Sequence, residues 1–394
     1  MKKVRVGIIG AKFAADFHLR NLTRLRGNKV EVLAVAARSR ESAANLARKY
    51  DIPDYYDDYR RILERRDIDL VDLCLPTDLH EPFALEAAAA GKHILCEKPL
   101  TGYFGQDRPE KHVGTSVPKR EMLAAAMAGC NRVRLAVKEN QVKFLYGENW
   151  VYAPPLLKLK SLVKAAGGTI LDMRAETSHS GSHAWHAMAW KTSGGGSLMR
   201  LGAHPVGAVL HLKHYEGILK TGKPILPKAV TAEVGYHTKI ASFLAEEKKY
   251  VVSRWEDVED WAVMVLTFTD NSQATVFASD QVLGGVRNVI EVFLSNAVMK
   301  VNINPHNVLE VYAPDGNIFA DEYLAEKLET KAGWSQPSPD EDWMRGFPQE
   351  WEDFVEAILQ DREPVSGIDL ACEVVEVIYA AYVAAEEGKR YVLR

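Results

Sequence analysis

Cysteine is scarce in this chain. There are four in 394 residues, Cys74, Cys96, Cys130 and Cys372, and no two form a CxxC pair. That scarcity excludes a disulfide-stapled scaffold and a cysteine-rich zinc module. It predicts reduced core thiols in a reducing compartment, hence a cytoplasmic location. A run of about 18 apolar residues is also missing, so no membrane span is expected. The first residues, MKKVRVGIIGAKFAADFH, are basic and then apolar. The apolar run is short and β-branched and no small-residue cleavage site follows, so it reads as a strand rather than a secretory leader. Neither sign of charge is in excess: 49 Lys and Arg against 53 Asp and Glu leave a net charge of −4. A balance this close argues against nucleic acid or an anionic membrane as the main partner. Internal repeats and low-complexity tracts are absent too.

What is present is a soluble, core-forming composition, 47% apolar and 26% charged, long enough for two or three domains. Over the first hundred residues the pattern alternates. VRVGIIG, KVEVLAVAARS, DLVDLCLP and HILCEKP are strand-like, with helical segments between them, one capped by Ser39 or Ser42 and one closed by Gly91. Strand–helix–strand at this spacing predicts a doubly wound parallel sheet. From about 101 to 119 the pattern fails in a stretch rich in glycine, proline and charge, which predicts a functional loop, a disordered one or a solvated insertion. The second half has strand-like runs such as TILDMRAETSH, DWAVMVLTFTD, QATVFASD and VIEVFLS joined by short polar turns, followed by two closing helices. The expectation is α/β plus α+β. An N-terminal Rossmann-type domain covers 1–150, and a C-terminal domain at 151–394 carries a large, mostly antiparallel open sheet with flanking helices. A sheet with one uncovered face predicts a homodimer or homotetramer.

The turn after the first strand, GAKFAA, has the outline of a dinucleotide-binding loop. Gly10 serves the tight turn and Ala15 is the small residue where helix and strand pack, while Lys12 departs from the usual second glycine. With Ala11, Phe13 and Ala14, these residues would present helix N-terminal amides to a pyrophosphate. The second strand ends in AARSR, with no carboxylate to take a ribose 2′-hydroxyl. Arg38, Ser39 and Arg40 suit a 2′-phosphate instead, which favours NADP over NAD.

The run CLPTDLHEPFALEAAAAGKHILCEKPL resembles the Gfo/Idh/MocA family of NAD(P)-dependent oxidoreductases. It has the proline–threonine–histidine turn (Pro76, Thr77, His80, with Leu75 where threonine is usual), then AGKH, then Glu97, Lys98 and Pro99. ENWVYAPPLLKLKSLV, GGGSLMRLGAHP and the C-terminal helix resemble later parts of the family, so the likeness spans nearly the whole chain. The resemblance implies that Pro76, Thr77, His80, Glu97 and Lys98 border the cofactor. It also implies that Lys98 bonds the hydroxyl being oxidised and relays its proton. A lysine partly desolvated beside a nicotinamide cation should have a lowered pKa, suited to that work.

In the later motif the family pairs an aspartate and a histidine, four apart on one helical face. His204 matches the histidine and is the second catalytic candidate. Arg200 stands where the aspartate should be. Three explanations compete: an anionic substrate bound by Arg200, oxidoreduction carried by Lys98 and His204 alone, or chemistry without net redox. A structural ion pair is the plain alternative. Upstream, His179, His183 and His186 alternate with Trp185 and Trp190, which suits a sugar-lined pocket to which Tyr152 also belongs by resemblance. A metal held by His183 and His186 is conceivable if the stretch is helical, but no carboxylate or cysteine is interleaved and no metal is expected. The leading function is hydride transfer between NAD(P) and a sugar, polyol or sugar-acid carbinol. The alternative is a nicotinamide-dependent lyase, glycosidase or epimerase. A non-catalytic NADP-binding regulator would fit Lys12 and Arg200 but not the intact Glu97–Lys98–Pro99.

Overall fold

The structure is a computed structural model and describes residues 3–25, 27, 29–304 and 308–393. Short apolar runs become β1 (Val4–Ile9), β2 (Val30–Ala36), β4 (Leu70–Leu73), β5 (His93–Glu97) and β6 (Phe144–Gly147), and a three-residue strand without an apolar run, β3 (Asp54–Tyr56), joins them. They pair, all in parallel, in the order β3-β2-β1-β4-β5-β6. Val6, Ile8, Leu70, Val71 and Leu95 are almost fully buried, as strands covered by helices on both faces must be. The order reverses between β1 and β4, and such a switch point is where open α/β sheets bind ligands, beyond the strands' carboxyl ends. Helix α1 (Phe13–Leu22) follows β1, and α2 (Arg40–Lys49) follows β2. Ser39, rather than Ser42, caps α2, its hydroxyl accepting from the Ser42 amide at 3.3 Å.

The second sheet contains β7 (Ile170–Ser178), β8 (Pro227–Gly235), β9 (Trp261–Phe268), β10 (Gln273–Ser279), β11 (Arg287–Leu294) and β12 (Val298–Asn302). After a small hairpin, β13 (Val311–Ala313) and β14 (Gly333–Ser335), the strand β15 (Tyr391–Val392) completes it. The order is β12-β11-β7-β10-β9-β8-β15, antiparallel except for β7–β10. Alternation along β11 buries Asn288, Ile290, Val292 and Leu294 on one face. The opposite face carries exposed Leu171, Phe277 and Val298 together with charged pairs such as Arg287–Glu176 and Lys300–Glu291.

The chain divides into two compact units that interleave in sequence. One comprises 1–102, 125–149 and 346–375. The other comprises 103–124, 150–345 and 376–394. The single boundary expected near 150 is therefore one of five passages, because chain segments return to each sheet after leaving it. The stretch 103–124 is built into the second unit. The Tyr103 amide donates to the Tyr379 hydroxyl at 2.7 Å and the Gly114 amide to Asp257 at 2.7 Å, while the Lys119 ammonium lies 5.0 Å from the centre of the Trp190 ring. Phe104, Val113 and Val117 are buried. The glycine-, proline- and charge-rich composition of about 101–119 reads as an insertion because its anchors lie far away in sequence.

Candidate functional site

In the first unit, Gly10 ends β1 with φ +120, and its amide donates to the Ala36 carbonyl at 2.8 Å. A Cβ there would lie 2.1 Å from the Cys74 carbonyl oxygen, so glycine alone fits the turn. Ala15 is fully buried, as the helix–strand contact requires. Lys12 is the N-cap of α1, exposed, and makes no side-chain cap bond. Phe13 is 80% exposed and stacks on Phe17 at 6.0 Å, with Ala11 and Ala14 half-buried behind it. A helix start without a side-chain cap, beside a turn only glycine can make, fits a pyrophosphate. Gly10→Ala is expected to cost roughly 1–3 kcal/mol from the backbone conformation alone, and more from the clash. A lowered melting temperature together with weakened NAD binding would show it, and unchanged values would contradict the tight turn.

Arg38, Ser39 and Arg40 all lie exposed after β2. Ser39 is occupied as the cap of α2, and Arg40 lies 5.7 Å from the Tyr55 ring centre and 4.0 Å from Asp57. Pro76 and Thr77 form the short turn after β4, and Lys98 is half-buried just beyond β5. Gly10, Pro76, Thr77, Glu97 and Lys98 thus share the carboxyl edge of the parallel sheet, on either side of its switch point. His80 is 1% exposed, and its ring nitrogens face two main-chain carbonyls, Pro99 at 2.8 Å and Leu75 at 3.0 Å. Burial pulls its pKa below the usual imidazole value. Behind this edge lies a cluster that sequence reasoning missed: His18, Asp72 and Cys74, all buried, with Glu97 against the same ring. Its one sequence signal was a histidine on the apolar face of α1, three residues from Ala15.

In the second unit the end of the glycine run is held by one buried carboxylate. Glu259 accepts from the Gly196 amide (3.0 Å), the Leu198 amide (2.9 Å) and the Tyr382 hydroxyl (2.7 Å). The Tyr379 hydroxyl donates to Gly194 at 2.6 Å, and a Cβ on Gly196 would sit 1.9 Å from the Glu259 carbonyl. Burial pushes the Glu259 carboxyl up to about 7. A raised folded-state value means its favourable contribution is complete below the unfolded carboxylate range, declines as pH rises through about 7, and is gone above. Glu259→Gln should flatten that decline between about pH 5 and about pH 8. It should also cost about 1–3 kcal/mol by setting an amide donor against main-chain N–H groups. Denaturant titrations at the two pH values check both effects.

Arg200 and His204 do not share one helix. Arg200 ends Ser197–Arg200, and His204 opens Ala203–Thr221. The Leu201 and Gly202 amides both turn back to the Ser197 carbonyl, at 2.8 and 3.0 Å, which breaks the spiral. Arg200 is ion-paired to the fully buried Asp280 and its guanidinium lies 4.6 Å from the Trp255 ring centre. His204 is half-buried and stacks nearly parallel on Trp150, at 5.7 Å and 6°. Tyr152 is 3% exposed in the same short turn as Trp150. His179 is buried, its Nδ1 accepting from the Gly181 amide at 2.9 Å and lying 3.9 Å from Asp280. The Trp185–Ala187 turn is too short to set His183 and His186 on a helical face. His183 is exposed, and His186 meets the exposed Trp185 edge-on at 5.7 Å, while Trp190 is buried. Among the described residues, the group able to hold a metal by position is the His18 cluster, and it includes none of these histidines.

A parallel sheet with this switch point, glycine turn and helix start defines a Rossmann-type dinucleotide-binding protein. Residues 4–106 match the model described as "Oxidoreductase family, NAD-binding Rossmann fold", and 156–300 match the GFO/IDH/MocA C-terminal domain. The chain belongs to the Gfo/Idh/MocA oxidoreductase family. It is 30% identical over 205 residues to trans-1,2-dihydrobenzene-1,2-diol dehydrogenase of Mus musculus, covering 52% of this chain and 54% of that one. It is 36% identical over 106 residues to levoglucosan dehydrogenase of Pseudarthrobacter phenanthrenivorans, covering 25% and 27%. With an uncharacterized oxidoreductase of Bacillus subtilis, YrbE, it shares 30% over 181 residues, 44% of this chain and 51% of that one. The chain thus spans about half the length, at most, of these curated relatives. In fold it is similar to GenD2 from gentamicin A biosynthesis, solved in complex with NAD (TM-score 0.79, 23% identity, 100% and 97% covered). It is similar also to myo-inositol 2-dehydrogenase of Lactobacillus plantarum (TM-score 0.74, 19%, 100% of each). No helix among the described residues is long and apolar enough to cross a membrane.

Proposed function

We propose that the protein transfers a hydride between NAD(P) and a carbinol carbon of a sugar or polyol. The observation that carries this reading is the place of Lys98. It lies half-buried at the end of β5, on the same sheet edge as the Gly10 turn and the start of α1. The first unit takes the dinucleotide, with Gly10, Ala11, Lys12, Phe13 and Ala14 at the pyrophosphate and Pro76, Thr77 and Glu97 along the edge. When bound, the nicotinamide supplies the hydride acceptor or donor. The Lys98 ammonium bonds the substrate hydroxyl and carries its proton. His204 in the second unit binds the substrate, with its ring plane set by Trp150. Tyr152, His179, His186 and the exposed His183 are further substrate contacts in this reading. The relatives named as dehydrogenases of a dihydrobenzene diol and of levoglucosan support the carbinol chemistry. Arg200 is neutralised within the fold by Asp280, which favours an uncharged polyol over a sugar acid.

The test is direct. Purified protein with NAD⁺ or NADP⁺ and a panel of inositols, aldoses and sugar acids should build up reduced-nicotinamide absorbance in proportion to substrate consumed. Cofactor that co-purifies and stays in one oxidation state while the sugar changes would overturn the reading in favour of a redox-neutral reaction. The preference for NADP rests on exposed Arg38. Arg38→Ala should raise the KM for NADP⁺ about tenfold and leave that for NAD⁺ nearly unchanged. Equal effects on both would remove the preference. We further propose a cytoplasmic enzyme that forms a dimer or tetramer through the open face of the second sheet. Sedimentation of a Phe277→Lys variant, expected to dissociate, checks the latter.

A further inference from the structure

His18 is 3% exposed on the inner face of α1, with the Trp351 ring edge-on at 5.8 Å. Its Nδ1 lies 2.9 and 3.1 Å from the two carboxylate oxygens of Asp72, which is fully buried on β4. Its Nε2 lies 3.0 Å from Glu97 Oε1. A carboxylate on each ring nitrogen calls for an N–H on each, so the ring is an imidazolium. Burial is the largest single influence and opposes that charge, but Asp72 and Cys74 together outweigh it and the pKa stands well above the usual value. The same arrangement argues against reading His18, Asp72 and Cys74 as a metal site, despite their proximity. A doubly protonated ring has no lone pair to give a metal.

Glu97 turns its other oxygen toward the chain, and Oε2 accepts the main-chain N–H of Lys98 at 3.2 Å. One carboxylate therefore bridges a buried imidazolium to the backbone of the lysine. On the far side of that lysine, His80 reaches the Pro99 carbonyl at 2.8 Å. The segment from Glu97 to Pro99 is held from both ends by a buried histidine, each anchored elsewhere in the sheet. Lys98 ends a flexible four-carbon stem, so its accuracy depends on a fixed Cα and fixed neighbours.

We propose that His18 is a positioning residue for Lys98, acting through Glu97. This rests on the reading of Lys98 as the proton carrier. The other ionisable groups around the ring are Cys74, whose thiol burial pushes up to about 12, and Glu350, whose carboxyl burial raises well above the usual range. Glu148 acts on Glu350 at longer range. His18 is therefore a cation among mostly acidic groups, and removing it takes the ring away from both Asp72 and Glu97, of which only Glu97 also holds the Lys98 amide.

The test is a double-mutant cycle on the full chain, measured with the polyol that the panel identifies. His18→Asn should lower kcat by about 10–100-fold and leave the substrate KM and the dissociation constant for NADH within about threefold of wild type. In a Glu97→Gln background the same change should cost less than about threefold, because the route is already cut. A merely structural role would give additive losses or move KM and kcat together, and either result overturns the proposal. If His18→Asn does not fold, Asp72→Asn, which loosens the ring from its anchor, takes its place with the same expected outcomes. Lys98→Met separates the two levels. If it stays active, the reading of Lys98 fails. If it is inactive while His18→Asn matches wild type, only the positioning proposal fails.

Discussion

Replacing Lys98 with methionine is expected to lower kcat about a thousandfold while NAD still binds within about threefold of wild type. The magnitude follows from what the side chain is asked to do. Moving a proton to or from a reacting hydroxyl contributes about 10²–10⁴ in rate, and a thousandfold corresponds to about 4 kcal/mol of barrier. Methionine keeps the length and apolar stem and removes the ammonium, so packing at the end of β5 survives. Cofactor affinity should hold because the proposed pyrophosphate site lies at the Gly10 turn and the start of α1 rather than at Lys98. The split between kcat and binding is the informative part. A loss of NAD affinity equal to the loss of rate would make Lys98 a cofactor ligand. Full activity would remove it from the chemistry. Arginine at 98 should rescue little, because it holds its proton too firmly to exchange it near neutrality.

Much of the first unit could be read in the chain before any coordinates. Parallel strands buried on both faces leave dense β-branched runs, and the Gly10 turn and Ser39 cap are local signals. The mostly antiparallel second sheet was legible for the same reason, through short polar turns. What stayed hidden depends on pairing between distant residues. Glu259, in the acidic run at 256–260, looks like a solvated turn, yet it holds the Gly196 and Leu198 amides some sixty positions earlier. The stretch at about 101–119 looked like an insertion because its anchors, Asp257 and Tyr379, lie in remote segments. His18 offered one residue on an apolar face, and no spacing rule joins it to Asp72 and Glu97. Burial and long-range charge pairing are properties of the folded chain, and a linear pattern reports them weakly.

Arg200 was the sharpest departure from the family pattern, and its partner makes the second large prediction asymmetric. Asp280 is fully buried, and the Arg200 side chain is 13% exposed. Asp280→Asn should destabilise the protein by about 3–5 kcal/mol, because it leaves a guanidinium that cannot discharge in a half-closed apolar setting. Arg200→Met should cost less at low pH, because an orphaned carboxyl can take up a proton. Burial already raises the Asp280 pKa, with Arg200 as the main opposing influence, so losing Arg200 raises it further. A folded-state pKa above the unfolded one gives stability that is complete below the unfolded value and is lost as pH rises through the folded one. Arg200→Met should therefore unfold progressively more easily toward neutral and alkaline pH. Asp280→Asn should carry its penalty nearly unchanged across that range. Denaturant titrations of both variants across pH test the pairing. The same two proteins test function, since a guanidinium that recognises a substrate anion would make Arg200→Met lose sugar acids selectively. A guanidinium satisfied by Asp280 predicts equal proportional losses on acids and on neutral polyols, with kcat falling only as far as the turn from Arg200 into the His204 helix loosens.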